Sequence, residues 1–129
     1  MQNMNWYQTL AKPPLTPPDW IFAPVWTVLY VLIGFSLVLF MRARSSEKKG
    51  FPFMMFLLQM IFNLLWTVVF FDMKNPVFGL AVLSALIAFL LLTIVRFYPI
   101  SKPAAFLLMP YFIWCCFALY LNGGIVWLN

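Results

Sequence analysis

Four apolar runs separated by short polar breaks organise this chain. They cover residues 20–41, 51–71, 76–95 and 103–121, and none holds a charged side chain. Each is close to the ~20 residues of helix needed to cross a hydrocarbon core. Membrane-barrel strands would be about half as long and would alternate strictly, and these runs do not alternate. The breaks at 42–50, 72–75 and 96–102 are short, which predicts an all-α antiparallel bundle of four transmembrane helices in a single domain over residues 1–129. Residues 1–18 follow another rule. Trp6-Tyr7, Lys12 and the prolines 13, 14, 17 and 18 stand directly before the first run. Proline fixes φ and removes a backbone donor, so this stretch predicts a stiff, irregular loop over one end of the bundle. Such loops are common sites of ligand contact.

Composition turns these helices into a membrane protein. Hydrophobic residues make up 65% of the chain and charged ones 9%, whereas soluble domains are roughly 25% charged. The polar, aromatic N-terminus lacks the basic start of a signal peptide. Charge then orients the bundle. Arg42, Arg44, Lys48, Lys49, Arg96 and Lys102 fall at one end, with only Lys12 and Lys74 at the other. The positive-inside rule puts the first end in the cytoplasm and sends the Pro-rich loop and the C-terminus outward, in a bacterial cell membrane by preference. The 42–49 cluster reads as a topology signal and a contact for anionic lipid. The net charge of +5 is therefore no sign of nucleic-acid binding.

Candidate chemistry is sparse. The chain has no histidine, hence no usual metal ligand, haem ligand or general base. Asp19, Glu47 and Asp72 are its three acids. Asp19 is placed as an N-cap, and none falls mid-membrane, so neither acid–base catalysis nor a proton-coupled pump is indicated. Cys115 and Cys116 are adjacent on a helix, where neighbours point about 100° apart, and read as packing residues. Phe22, Trp26 and Tyr30 form a stripe at i, i+4, i+8, suited to lining a pocket. Gln59 and Asn63 share a face with Trp66 and Phe70. Amides inside a membrane need a partner, either another helix or a ligand, and the two readings are compatible. Pro110 frees the carbonyl of Phe106 and predicts a kink. Trp114, Phe117, Ala118 and Leu121 follow at helical spacing. Ala118 either admits a neighbouring helix or leaves room for a ligand. Gly79, Ala81, Ala85 and Ala88 suggest close packing of the third helix.

The combination resembles the translocator protein family, also called tryptophan-rich sensory proteins, peripheral benzodiazepine receptors or TspO/MBR. The residues that carry the resemblance are Trp6-Tyr7, Lys12-Pro13 and Thr16-Pro17-Pro18; Pro24, Trp26 and Tyr30; Gln59, Asn63 and Trp66; and Pro110-Tyr111-Phe112-Ile113-Trp114, Phe117-Ala118 and Leu121-Asn122. They extend over essentially the whole chain. The resemblance implies a five-helix bundle with a pocket open toward the first loop, and ligands such as porphyrins, sterols or synthetic aromatic compounds. It implies that Tyr7, Pro17, Phe22, Trp26, Tyr30, Asn63, Trp66, Trp114 and Ala118 are ligand contacts. It further implies that Trp26 and Trp114 take part in light-dependent porphyrin breakdown. One departure stands out: four helices are counted here, and the helix before the Trp-Tyr loop has no counterpart. The pocket's flank would then face lipid or a partner chain, and a homodimer would cover it.

These readings converge on a membrane receptor for a flat hydrophobic ligand such as protoporphyrin IX or haem, with no resident cofactor and no metal. Without histidine, a free-base porphyrin is favoured over axial haem ligation. Lys12 at the rim suits a propionate. A tetrapyrrole or sterol transporter, a light-dependent porphyrin-degrading protein and a ligand-free membrane partner protein are the alternatives.

Overall fold

The computed structural model describes Ala11 and residues 22–128, with the side chains of residues 22, 23, 71 and 72 left aside. The expectations at Tyr7, Lys12, Pro17 and Asp19, and at the Phe22 side chain, lie outside the described residues. Helix α1 is Phe22–Arg42, α2 Gly50–Thr67, α3 Pro76–Phe97, α4 Lys102–Leu107 and α5 Met109–Leu128. A π-helical turn, Val68–Asp72, prolongs α2, and α4 with α5 makes one span, so four of the described helices are long and apolar enough to cross a membrane.

Local chemistry sets the ends. Asn75 caps α3 by accepting the Phe78 N–H at 3.1 Å, with Pro76 in the first turn, where its missing donor costs nothing. Ser101 caps α4 by accepting the Ala104 N–H at 3.3 Å, again with a proline in the first turn. The kink expected at Pro110 takes the form of a single-residue break at Leu108. The proline ring would meet the carbonyl four residues back, and Leu108 bonds instead to Ala105 at 3.1 Å. Helicity then continues through Gly123 and Gly124 to Leu128, seven residues beyond the apolar run ending at Leu121. Asn122 causes the extension, because its polar side chain is buried and bonded rather than marking a loop.

The helices are not packed in simple chain order. α2 lies against α3, α3 against α5, and α1 chiefly against α4. Ser36 Oγ donates to the Ala104 carbonyl at 2.7 Å, and buried Ala104 and Ala105 let α1 and α4 approach closely. Although joined by a short connection, α1 and α2 meet through long side chains. At the basic end, Phe97 of α3 stacks on Phe40 of α1 with centroids 4.1 Å apart and on Phe56 of α2 at 5.9 Å. On α3, Gly79 is buried against Asn122 and Phe70, but Ala81 and Ala88 are exposed. The expected small-residue packing is thus confined to the start of that helix. Cys115 is buried, Cys116 exposed, and both are free thiols.

Candidate functional site

The two buried amides of α2, Gln59 and Asn63, meet tyrosines of α1 and α5 between these three helices. Tyr30 donates its hydroxyl to Asn63 Oδ1 at 2.6 Å. Asn63 Nδ2 donates to the Tyr111 hydroxyl at 2.8 Å, which in turn donates to Gln59 Oε1 at 2.8 Å. Three helices are tied by one directed chain. It exists because Gln59 and Asn63, at i and i+4, point from α2 toward the same side, where water is not available to satisfy them. Gln59 Nε2 is the one buried side-chain polar atom among those described that finds no partner. A half-turn of both amides inverts the chain: Gln59 then donates to Tyr111, Tyr111 to Asn63 and Asn63 to Tyr30. The inverted chain leaves the Tyr30 hydroxyl proton free to donate outward.

Three tryptophans pack beside this chain. The ring of Trp26 lies 6.2 Å from Trp66 and 5.8 Å from Tyr30, and meets Trp114 edge-on at 6.4 Å. These separations fall in the range where aromatic pairs attract. Trp66 Nε1 donates to Asn122 Oδ1 at 3.0 Å, and Asn122 Nδ2 donates to the Pro76 carbonyl at 2.8 Å. The indole is thereby fixed between α2, α5 and the start of α3. The π-helical turn begins two residues after Trp66, and Phe70 within it packs on the Trp66 ring at 5.4 Å. Such turns are frequent at functional sites.

Trp114 has a second face. With Val25 and Leu29 of α1 and Pro110, Ile113 and Phe117 of the last span, it lines a groove of about 530 Å³. The lining is almost wholly apolar, and the volume lies within the ~300–1,000 Å³ usual for ligand clefts. Helix α1 therefore works on two faces, with Val25 and Leu29 toward the groove and Trp26 and Tyr30 toward α2. Trp114 is stiffened by Phe117, whose ring stacks at 5.6 Å.

Of the residues singled out by sequence, Trp26, Tyr30, Asn63, Trp66 and Trp114 form one connected cluster. Trp26, Trp66 and Asn63 are buried, Trp114 is half-buried, and Tyr30 is 38% exposed at the edge. Ala118, one turn beyond Trp114, is also buried. Sequence reasoning gave no role to Tyr111, the centre of the polar chain, or to Asn122, the anchor of Trp66. A signal was present for both: two intramembrane amides on α2 require partners, and Tyr111 and Asn122 are polar groups of the last span. Val25, Leu29 and Ile113 of the groove carry no signal, since they resemble any lipid-facing residue. Among the described residues, no three His, Cys, Asp or Glu side chains are grouped so as to hold a metal ion.

The chain matches the family model of the TspO/MBR family over residues 1–128. It is 40% identical over 125 residues to the tryptophan-rich protein TspO of Chlorobaculum tepidum, covering 96% of this chain and 79% of that one. The tryptophan-rich sensory protein of Cereibacter sphaeroides is 37% identical over 125 residues, with 97% and 77% covered. The translocator protein of Homo sapiens is 32% identical over 123 residues, with 94% and 73% covered.

Proposed function

The chain belongs to the TspO/MBR family, and from that premise we propose that this integral membrane protein is a receptor for flat, aromatic, amphipathic ligands of the tetrapyrrole class. The observation that carries this reading is the Trp114-lined groove backed by Trp26, Trp66 and Tyr30. A planar macrocycle buries most area against rigid, flat walls, and indole rings lose little entropy in providing them. In this reading the ligand lies in the groove against Trp114, with Trp26 and Trp66 behind it. Tyr30, on the α2 side of α1, stands behind this wall, with its ring against Trp26 and its hydroxyl on Asn63. Asn63 acts as a positioning residue, because it fixes Tyr30 and, through that ring, Trp26. Porphyrin in free-base form suits this wall, because its recognition needs ring area and hydrogen bonds rather than an axial ligand. The Lys/Arg-rich end faces the cytoplasm of a bacterial cell and the opposite end faces outward.

Titration of the detergent-solubilised protein with protoporphyrin IX, followed by the porphyrin's own absorption, tests the proposal. Saturable binding is expected, weakened about tenfold in Trp114→Ala, the equivalent of ~1.4 kcal/mol, and by a smaller factor in Trp26→Phe. Linear, non-saturating uptake, or equal affinity in wild type and both variants, would overturn it.

A further inference from the structure

The basic end of the bundle holds a second cavity, of about 500 Å³, walled by the α1–α2 connection, the first turn of α2 and the end of α3. Lys48 and Arg96 both line it, and Phe51 and Ile100 supply apolar wall. Two other cations at this end are engaged elsewhere. Lys49 Nζ donates to the Met41 and Ala43 carbonyls at 3.1 and 2.6 Å, closing the C-terminus of α1. Lys102 lies over the Tyr98 ring at 5.6 Å. Arg96 is held in another way: its guanidinium sits over the Phe51 ring, 5.0 Å from the centroid. A stacked guanidinium is pinned in position yet keeps its in-plane N–H donors for an anion. Helix α2 starts at the same cavity. Its N-cap residue supplies no side-chain acceptor, and its first turn holds no acid, so neither the cap nor the first turn offsets the positive end of its dipole.

Cationic walls, a helix N-terminus and an apolar surface meet where the spans leave the hydrocarbon. The geometry points to a binding site for the phosphate of an anionic phospholipid headgroup, held between Lys48 and Arg96, with the glycerol and upper acyl chain against Phe51 and Ile100. Basic pockets between membrane helices take such headgroups. Glu47 lines the same cavity and refines the preference. With two cations and one carboxylate in the wall, a single phosphodiester balances the site. Free polyanions gain less there, because Glu47 repels any added charge. This site is separate from the tryptophan groove and does not depend on what that groove binds.

Thermal denaturation of the purified full chain in detergent, titrated with phosphatidylglycerol, phosphatidylcholine, phosphatidylethanolamine or inorganic phosphate, tests the assignment. Phosphatidylglycerol is expected to stabilise saturably and the two zwitterionic lipids to have much weaker effects. Lys48→Gln and Arg96→Gln should each raise the half-saturating phosphatidylglycerol about tenfold. Arg44→Gln removes the same charge from outside the cavity and should leave it unchanged. Arg96→Lys should recover only part of the loss, since it keeps the charge without the stacked fork. If Arg96→Gln does not fold, the exposed Lys48 carries the test. Equal losses in Arg44→Gln and Lys48→Gln would mean diffuse surface attraction and would overturn the site. Stabilisation by inorganic phosphate matching that by lipid would reassign it to a free anion. Preference for phosphatidylethanolamine would reassign it to a headgroup read through Glu47.

Discussion

Tyr111 both accepts and donates at the centre of the bundle, bonding two amides of α2. Tyr111→Phe keeps the ring and removes only the oxygen, so Asn63 Nδ2 and Gln59 Oε1 lose their partner in a place with no water to replace it. Leaving a buried group unsatisfied costs about 1–3 kcal/mol, although membrane hydrogen bonds measured singly average nearer ~0.6 kcal/mol. With two groups orphaned, the expected loss is about 1–2 kcal/mol in a detergent unfolding titration. Tyr30→Phe removes one bond at a half-open edge and should cost about 0.5 kcal/mol. Equal losses in the two variants would show that Tyr111 is no hub. The same comparison bears on Gln59, whose Nε2 already lacks a partner. Gln59→Met removes that unpaired donor with little change of volume, and should cost less than Asn63→Leu, which breaks bonds to two tyrosines. The amides themselves were legible from sequence, because a polar side chain in a long apolar run has to be answered. Which tyrosine answers them was not, since Tyr30, Tyr111 and Tyr120 all stand within apolar spans.

At the scale of elements, the positions of the spans follow from hydropathy, while their junctions follow from single residues. Asn75 and Ser101 start helices where a side-chain acceptor precedes a proline, a local rule that reads directly from sequence. The π-helical turn after Trp66 and the extension of α5 past Leu121 do not, because both depend on partners from other helices. Asn122 looks like a helix stop and is a buried anchor instead. Gly79 shows how tightly that anchor is set. A Cβ built there would lie 3.3 Å from Asn122 Oδ1 and 3.5 Å from Phe70 Cδ1. Asn122 is bonded at both ends, to Trp66 and to Pro76, and cannot retreat without loosening one bond. Gly79→Ala should therefore lower stability by about 1 kcal/mol, despite the ~1 kcal/mol that alanine gains over glycine in helix propensity. It should also weaken the proposed porphyrin binding by moving Trp66. Gly34 has nothing within 4 Å of the same atom, so Gly34→Ala should be neutral or stabilising by up to ~1 kcal/mol. Thermal midpoints of the two alanine variants against wild type decide the matter, and a destabilised Gly34→Ala or an unaffected Gly79→Ala would count against it.

Over the whole molecule, the order in which spans pack was the part that sequence could not supply. In water, a helix shows its inner face by contrast with a polar outer one. Here outward Val28, Val31 and Phe35 are as apolar as inward Leu29, Ile33 and Phe40, because the outer face is apolar too. Short connections suggested that α1 would lie against α2, yet α1 has α4 as its main neighbour. The space between α1 and α2 is filled by Trp26, Tyr30, Asn63 and Trp66. In hydrocarbon, moving an apolar side chain from the lipid-facing surface to the interior gains no water-transfer energy, so cohesion comes from packing contacts and a few hydrogen bonds. Phe97 concentrates that packing, being wholly buried and stacked on rings of both α1 and α2. Phe97→Ala leaves a cavity among three spans at the basic end, and soluble cores lose about 3–5 kcal/mol for such a change. Without the water-transfer part, about 3 kcal/mol is expected here. Phe106, equally large but 60% exposed, has lipid as its main surroundings, and Phe106→Ala should stay within about 0.5 kcal/mol of wild type. The two variants remove the same number of atoms from similarly apolar stretches of sequence. A difference of several-fold between their unfolding free energies in the same detergent would show that interlocking shape, not hydrophobicity, holds this bundle together, whereas equal losses would mean that the Phe40–Phe97–Phe56 stack contributes no more than contact with lipid.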